Sequence, residues 1–123
     1  VNYQRYAQEA HEDVAFLAEI LRQENRPTAI FAMNDLLAVL VIRAAHQAGL
    51  RVPEDLSVVG FDNLELTERM VPRLTTVNQD TALMGREAVR RLLALIDGDR
   101  PQRTFTLLPT QLIIRESTAK PLV

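Results

Sequence analysis

The chain has 123 residues, of which 47% are hydrophobic and 24% charged, and its formal net charge is −2 at pH 7. This composition is typical of a folded globular domain and argues against intrinsic disorder. The sequence has no cysteine, which excludes disulfides, zinc–thiolate sites and a catalytic thiol. It has no basic surplus to bind DNA phosphates and no apolar run of about 20 residues to span a bilayer.

The start of the chain shows no targeting signal. It begins at Val1 instead of methionine, and no basic stretch is followed by an apolar one near that end. We therefore expect an internal segment of a longer, cytoplasmic protein that is not membrane-bound. We expect no cofactor and no metal site, since the two histidines are isolated and the four glycines form no phosphate-binding loop.

The first half of the chain predicts a helix followed by a strand–helix–strand unit. Apolar residues recur at three- and four-residue steps over 4–23, which indicates a helix. The apolar run 28–33 predicts a buried strand, and Asn34 can cap a second helix that ends before Gly49. A second buried strand over 56–61 completes a βαβ unit, which predicts an α/β fold with a mostly parallel sheet.

The second predicted helix is apolar on nearly every face. Such a helix is buried on two sides, so one side can face its own sheet while the other needs a partner. The partner is either more of the same chain or another subunit. The apolar residues are Leu36, Leu37, Val39, Leu40, Val41 and Ile42.

The second half of the chain predicts shorter elements. An irregular or briefly helical loop covers 62–72, and Asp80 can cap a helix that runs to about Ile96. Extended stretches are predicted at 74–77, 105–108 and 111–114. From Glu116 onward the tail is polar, and we expect it to be frayed.

Polar side chains follow two neighbouring predicted strands, as Asn34–Asp35 and Asp62–Asn63. In open α/β sheets ligands bind beyond the carboxyl ends of the strands, so these groups can converge on a hydroxyl-rich or base-like ligand. The simpler alternative is that Asn34 caps a helix and Asp62 starts a turn. A carboxylate pair of Asp35 and Asp62 in an enzyme is a further alternative, although no histidine, serine or lysine follows another strand to complete a catalytic set.

Five sequence blocks, in a fixed order and spacing, identify a family. They are PTAIFAMND (27–35), GLRVPEDLSVVGFD (49–62), PRLTTVNQ (72–79), MGREA (84–88) and LPTQLIIREST (108–118). Together they resemble the lactose-repressor/galactose-repressor (LacI/GalR) family of bacterial transcription regulators. The resemblance covers residues 27–118.

This resemblance implies a periplasmic-binding-protein-like domain of type I, with two lobes and a small-molecule effector between them. We expect an incomplete domain, in which residues 1–78 form the C-terminal lobe, 79–109 return to the N-terminal lobe, and 110–123 supply the final strand and tail. The returning segment has little of its own lobe to pack on, so we expect an exposed apolar stripe or a covering partner. DNA would be bound by an upstream helix-turn-helix that this chain lacks.

By similarity to the family, Asn34 and Asp62 line the effector cleft. Asp62 would accept hydrogen bonds from the hydroxyls of a sugar or sugar derivative, or from a purine, and Gln79 would line the cleft more loosely. The resemblance leaves Asp35 to cap or orient its helix. Asn63 departs from the family pattern, in which many members have a second aspartate.

The resemblance also implies a homodimer. Its interface would use the exposed side of the helix at 34–48 and the loop at 66–71, with Leu36, Val39, Leu40, Leu66, Met70 and Val71. A solute-binding protein of a sugar transporter shares this fold and is the main alternative, but the terminal Arg115–Thr118 signature favours the regulator. No reaction is implied.

Overall fold

The computed structural model describes residues 3–99 and 105–121, with side chains from residue 11 onward. The helices in these ranges are α1 (Tyr3–Leu21), α2 (Asp35–Gln47), α3 (Leu66–Arg69) and α4 (Thr81–Ile96). The strands are β1 (Ala29–Phe31), β2 (Ser57–Phe61), β3 (Thr75–Asn78) and β4 (Gln111–Ile113). The predicted elements are therefore present with bounds that differ by one or two residues, apart from the strand at 105–108 and the tail discussed below. The predicted burial of the first strand is wrong, because β1 is an edge strand on which Ala29 and Phe31 are exposed.

The four strands form one mixed sheet in the order β1-β2-β3-β4. β1 runs parallel to β2, and β2 runs parallel to β3, with Val59 opposite Thr75. β4 closes the edge antiparallel to β3, with Thr76 opposite Ile113. The α/β class and the mostly parallel sheet are confirmed.

The core lies between the sheet and two stacked helices. α2 packs against β2 on one side and against α1 on the other. The small residues of α2 allow this close double contact, since Ala38, Ala44 and Ala45 are fully buried. α1 therefore supplies part of the covering that the all-round apolar pattern of α2 requires. The remaining core side chains are Val14, Ala18, Leu21, Ala32, Val41, Ile42, Val52, Leu56, Val58 and Leu74.

Both ends of α2 carry the caps that the sequence predicts. The Asn34 side chain accepts a hydrogen bond from the backbone N–H of Leu37 at 2.8 Å. At the other end, Gly49 has φ +80°, a conformation that glycine adopts without a Cβ penalty. The Asn34 cap fixes the start of α2 just after β1, at the carboxyl edge of the sheet.

The predicted strand at 105–108 is wrong, because the described residues of this stretch adopt no strand conformation. A strand is stabilised by hydrogen bonds to a neighbouring strand, and the edge of β3 is already occupied by β4. Phe105 and Leu107 are instead 63% and 85% exposed.

The expectation of a frayed tail from Glu116 is also wrong, since residues 116–119 are docked on β2 and β3. The Ser117 backbone C=O accepts a bond from the Val58 N–H at 2.8 Å, and its hydroxyl donates to the Val58 C=O at 2.6 Å. The Thr75 N–H donates to the same hydroxyl at 2.8 Å, and Ser117 is fully buried. The polar groups of Ser117 thus form hydrogen bonds with backbone groups of β2 and β3, which holds the tail against the sheet.

α4 begins at Asp80, whose side chain accepts a bond from the Leu83 N–H at 2.9 Å. No α4 residue is buried, although every position of the helix is described. The predicted apolar stripe is therefore confirmed as exposed in this chain, and its side chains at Val89, Leu92, Leu93 and Ile96 are all more than half accessible.

No helix within 3–99 or 105–121 is both long and apolar enough to cross a membrane.

Candidate functional site

The carboxyl ends of three parallel strands lie side by side and form one polar edge of the sheet. β1 is followed by Asn34, β2 by Asp62 and β3 by Gln79, and the strand order makes these three positions consecutive neighbours. We call Asn34, Asp62 and Gln79 the polar edge. In open parallel sheets, this edge is where small ligands bind.

Asp62 and Gln79 are in direct contact at this edge. The Gln79 side-chain amide donates to Asp62 Oδ1 at 2.5 Å, and both residues are half-buried. One carboxylate oxygen is thereby oriented by the protein, and carboxylate oxygens accept several bonds each. The pair is a ready acceptor–donor set for a ligand hydroxyl or a heterocycle.

The backbone at Asp62 and Asn63 is unusual. Asp62 has φ +110° and Asn63 has φ +55°, both in the region that side-chain-bearing residues rarely adopt. The Asp62 N–H donates to the Val77 C=O at 2.9 Å, which continues the β2–β3 pairing past the strand end. Such strain persists where the surroundings enforce it, and it concentrates at ligand-binding sites.

Asn34 lies on the same edge, and one of its atoms is already engaged. Its Oδ1 is the cap acceptor for Leu37, which leaves the side-chain NH₂ to donate outward. Helix capping by Asn34, the simpler of the two sequence interpretations, is thus confirmed. The two roles are compatible, because capping and ligand donation use different atoms.

Asp35 takes a different place from its neighbour and lies in the interior. Its side chain is fully buried, with Oδ1 accepting from the Thr76 hydroxyl at 2.6 Å and Oδ2 from the Leu64 N–H at 2.8 Å. Asp35 therefore orients its helix against β3 and the loop after β2, as the resemblance implied. With both oxygens bonded inside the protein, Asp35 does not form a solvent-facing carboxylate pair with Asp62.

Gly60 makes room for this buried carboxylate. A Cβ built on Gly60 would overlap Asp35 Oδ1, and it would lie 2.9 Å from Leu74 Cδ2 and 3.3 Å from Asp35 Cα. Gly60 therefore allows the close approach between α2 and β2 and does not serve a turn.

The sequence interpretation missed one residue that organises this region, Arg115. Its guanidinium reaches Asn63 Oδ1 at 2.8 Å, Thr67 Oγ1 at 3.1 Å, the Leu74 C=O at 2.9 Å and Glu68 Oε1 at 2.9 Å. The signal was present in the Arg115–Thr118 motif, which the sequence interpretation used only as a family mark.

No group of three or more potential metal ligands occurs in the part of the chain that the structure describes. A groove of about 190 Å³ adjoins the start of α4, lined by Asn78, Asp80, Leu83, Pro109, Thr110 and Gln111. It borders the polar edge at Asn78, next to Gln79.

The residues predicted for a dimer interface lie on α2 and on the 66–71 segment, which contains α3. Leu36, Leu66 and Val71 are 57%, 38% and 89% exposed. Val39, Leu40 and Met70 are half-buried, and Leu40 and Met70 pack against the core. The six residues thus divide into an exposed group and a supporting group.

An open, mostly parallel sheet with a polar carboxyl edge is compatible with a periplasmic-binding-protein-like fold. The sequence profile of the family described as "Periplasmic binding protein-like domain" matches residues 1–118. The chain belongs to this family, in its lactose-repressor/galactose-repressor branch.

The curated relatives that the chain matches include proteins named as transcriptional repressors and regulators. It is 42% identical over 113 residues to the HTH-type transcriptional repressor PurR of Vibrio atlanticus, covering 89% of this chain and 33% of the relative. It is 46% identical over 99 residues to the HTH-type transcriptional regulator DegA of Bacillus subtilis, covering 80% and 29%. The chain thus spans about a third of the curated relatives it matches.

Solved structures of LacI-type regulators superpose on this chain. A dimeric Lac repressor superposes with a TM-score of 0.82 at 37% identity, covering 92% of this chain and 41% of that one. A LacI family regulator from Arthrobacter, in complex with lactose, superposes with a TM-score of 0.79 at 37% identity, covering 89% and 41%. The periplasmic-binding-protein-like fold is confirmed.

Proposed function

We propose that this chain is the effector-binding and dimerisation part of a cytoplasmic DNA-binding transcription regulator. The observation that carries the proposal is the polar edge, where Asp62 is held by Gln79 in a strained conformation at the end of β2. The relatives named as transcriptional repressors and regulators support a regulator over the solute-binding alternative.

The proposed effector is a sugar, a sugar derivative or a purine. Asp62 accepts hydrogen bonds from its hydroxyl or N–H groups, while Gln79 and the Asn34 amide donate to its oxygens or ring nitrogens. The structural relative with lactose bound supports a sugar for that relative, and this chain shares 37% of its residues in the superposed region. The edge binds and does not catalyse, because Asp35 is committed inside the protein.

The packing of the chain supports the proposed domain division. Residues 1–78 together with 110–123 form the C-terminal lobe, since β4 and the tail complete its sheet. Residues 79–109 belong to the N-terminal lobe. The exposure of α4 in this chain supports this assignment. The effector then lies between lobes, and its preference for one lobe arrangement changes operator affinity through an upstream DNA-binding segment.

A thermal-melt screen tests the proposal in the full-length protein, meaning the longest natural polypeptide that contains this chain. The compounds are lactose and other sugars, sugar phosphates, nucleosides and purine bases. A ligand at about 100 times its Kd stabilises by about 2.7 kcal/mol, which raises Tm by several degrees. A polypeptide with both lobes that shows no shift with any compound class would contradict the proposal and favour a protein partner.

A further inference from the structure

Arg115 ties together the two functional ends of one short segment. The segment 62–71 starts at the polar edge with Asp62 and ends at the proposed dimer surface with Val71. Arg115 contacts it near its start, through Asn63 at 2.8 Å, and in α3, through Thr67 and Glu68 at 3.1 Å and 2.9 Å. Its remaining bond, to the Leu74 C=O at 2.9 Å, anchors the guanidinium to the chain just before β3.

The Arg115 side chain is only 9% exposed, whereas its partner Glu68 is 63% exposed. A nearly buried cation keeps its hydrogen-bond partners because leaving them unpaired costs the full desolvation of the charge. The planar guanidinium has five donors in fixed directions, so it couples the positions of its acceptors. Movement of Asn63 therefore displaces Thr67 and Glu68, and the reverse also holds.

We propose that Arg115 is a positioning residue that couples the polar edge to the proposed dimer surface. It fixes Asn63 and, through it, the backbone that carries Asp62. It also fixes α3, which carries Leu66 and precedes Met70 and Val71. This inference rests on the proposed function, since it takes Asp62 as ligand-facing and 66–71 as facing the second subunit.

The test replaces Arg115 by lysine in the full-length protein, which keeps the charge and loses the fork of donors. We expect amide hydrogen exchange at Asn63, Leu64 and Thr67 to accelerate at least about tenfold, the loss expected for a charged hydrogen bond. The dimer dissociation constant from sedimentation should rise by a similar factor. Unchanged exchange in these residues, or faster exchange spread evenly over α2 and β2, overturns the proposal.

Arg73→Lys is the matched control. Arg73 also bonds a glutamate of the tail, with Nε and Nη2 donating to Glu116 Oε1 at 2.9 Å and 2.8 Å, but its side chain is 56% exposed. Exchange over 62–71 and the dimer dissociation constant should be unchanged in this variant. An equal effect of the two lysine substitutions would show that any lost arginine–glutamate pair suffices, and it would contradict a special role for Arg115.

A second variant keeps the test decisive if Arg115→Lys does not fold. Asn63→Gly removes the Oδ1 acceptor, and glycine accepts the observed φ of +55°. We expect faster exchange at Thr67, four residues further along in α3, and weaker dimerisation. If Arg115→Lys does fold, the double variant is also informative. Adding Asn63→Gly to Arg115→Lys should then have little further effect, because both changes break the same link.

Effects of Asn63→Gly confined to residues 62–64 would overturn the coupling. None of these measurements needs a ligand, so they do not depend on the proposed effector site. If Asp62 proves not to bind any effector, ligand titrations fail while the exchange and sedimentation results still decide whether Arg115 links the two ends.

Discussion

Asp35 places a polar carboxyl group in the interior, and three features of its surroundings make this tolerable. It lies in the first turn of α2, where the helix dipole favours an anion. Both of its carboxylate oxygens accept hydrogen bonds, from Thr76 and from the backbone of Leu64. Gly60 provides the space beside Oδ1. The residue binds α2, β2, β3 and the loop after β2 into one unit.

Gly60→Ala should therefore be destabilising, by about 1–3 kcal/mol or more, because the new methyl group overlaps the buried carboxylate and its neighbour Leu74. Urea denaturation of the full-length protein measures the change. Gln47→Ala is the matched control, since its side chain is exposed near the end of α2, within the lobe that contains Gly60. Helix propensity predicts that this control is neutral or stabilising by less than about 1 kcal/mol. Equal stability of the two variants would contradict the close approach at Gly60.

Asp55 supplies a prediction about pH. The Arg51 side chain donates to it at 2.9 Å and the Arg51 N–H at 2.9 Å, and these bonds lower the pKa of the Asp55 carboxyl to about 2. A depressed pKa means that the stabilising contribution is present above the ordinary aspartate value and is lost as pH falls through about 2. Carboxyl-resolved NMR titration of the full-length protein should find this low value.

In Arg51→Ala the pKa of Asp55 should rise toward its ordinary range, though not fully, because the backbone donor remains. Arg43→Ala removes an exposed arginine from α2 and should leave the pKa of Asp55 nearly unchanged. A normal pKa in the unmodified protein would show that the Arg51 contact does not persist in solution.

At the level of elements, α2 and α4 show two outcomes for an apolar helix. α2 has α1 on one side and β2 on the other, and its alanines are fully buried. α4 has an equally clear apolar stripe, yet no α4 residue is buried. The periodicity of a sequence predicts that a helix has an apolar face, but it does not say which element covers that face.

The exposed N-terminal part of α2 and the 66–71 segment lead to a prediction about association. Val71→Glu places a charge on a side chain that is 89% exposed, so it should not disturb the fold. If this surface meets a second subunit, the charge is buried in the dimer and association weakens by about tenfold or more. Sedimentation equilibrium of the full-length protein measures this. Gln23→Glu adds the same charge at an exposed site outside the proposed interface and should leave association unchanged; equal behaviour of the two variants would remove Val71 from the interface.

Much of this architecture could be predicted from the sequence. The caps at Asn34 and Asp80, the two parallel strands and the brief helix after β2 are set by local patterns, and all are present. The predicted burial of β1 is wrong, because β1 lies at the edge of the sheet and Phe31 is 65% exposed. The strand at 105–108 failed because a strand depends on a neighbour that local sequence does not reveal. The prediction of a frayed tail was wrong because Ser117 forms hydrogen bonds with backbone groups of Val58 and Thr75, which lie about 40 to 60 residues away in sequence.

The candidate site shows the same division. Its position beyond β1 and β2 follows from the general rule for parallel sheets, and the neighbouring strand order makes Asn34, Asp62 and Gln79 adjacent. The contact between Gln79 and Asp62 joins two strand ends, and the reach of Arg115 into the 62–71 segment depends on how β4 pairs with β3. Such contacts between distant parts of the chain are fixed by tertiary packing and not by local pattern.

At the scale of the whole molecule, the chain has a periplasmic-binding-protein-like fold and spans about a third of its curated relatives. Its sheet edge carries the proposed effector groups, and its α2 and 66–71 surfaces carry the proposed subunit contact. The proposed regulation requires that these two regions influence each other and the proposed upstream DNA-binding segment. By linkage, an effector shifts that balance only through a difference in its affinity for two arrangements.

The most direct test of the central claim is calorimetric titration of the full-length protein with the compound that gives the largest thermal shift. Asp62→Asn is the informative variant, since asparagine tolerates the positive φ and still accepts a bond from Gln79, while the carboxylate charge is lost. We predict at least about tenfold weaker binding with an unchanged Tm of the free protein, as expected for a lost charged hydrogen bond. Asp97→Asn, at the far end of α4, should bind like the unmodified protein. Equal affinity of Asp62→Asn and the unmodified protein would contradict the account, because the effector would then bind elsewhere.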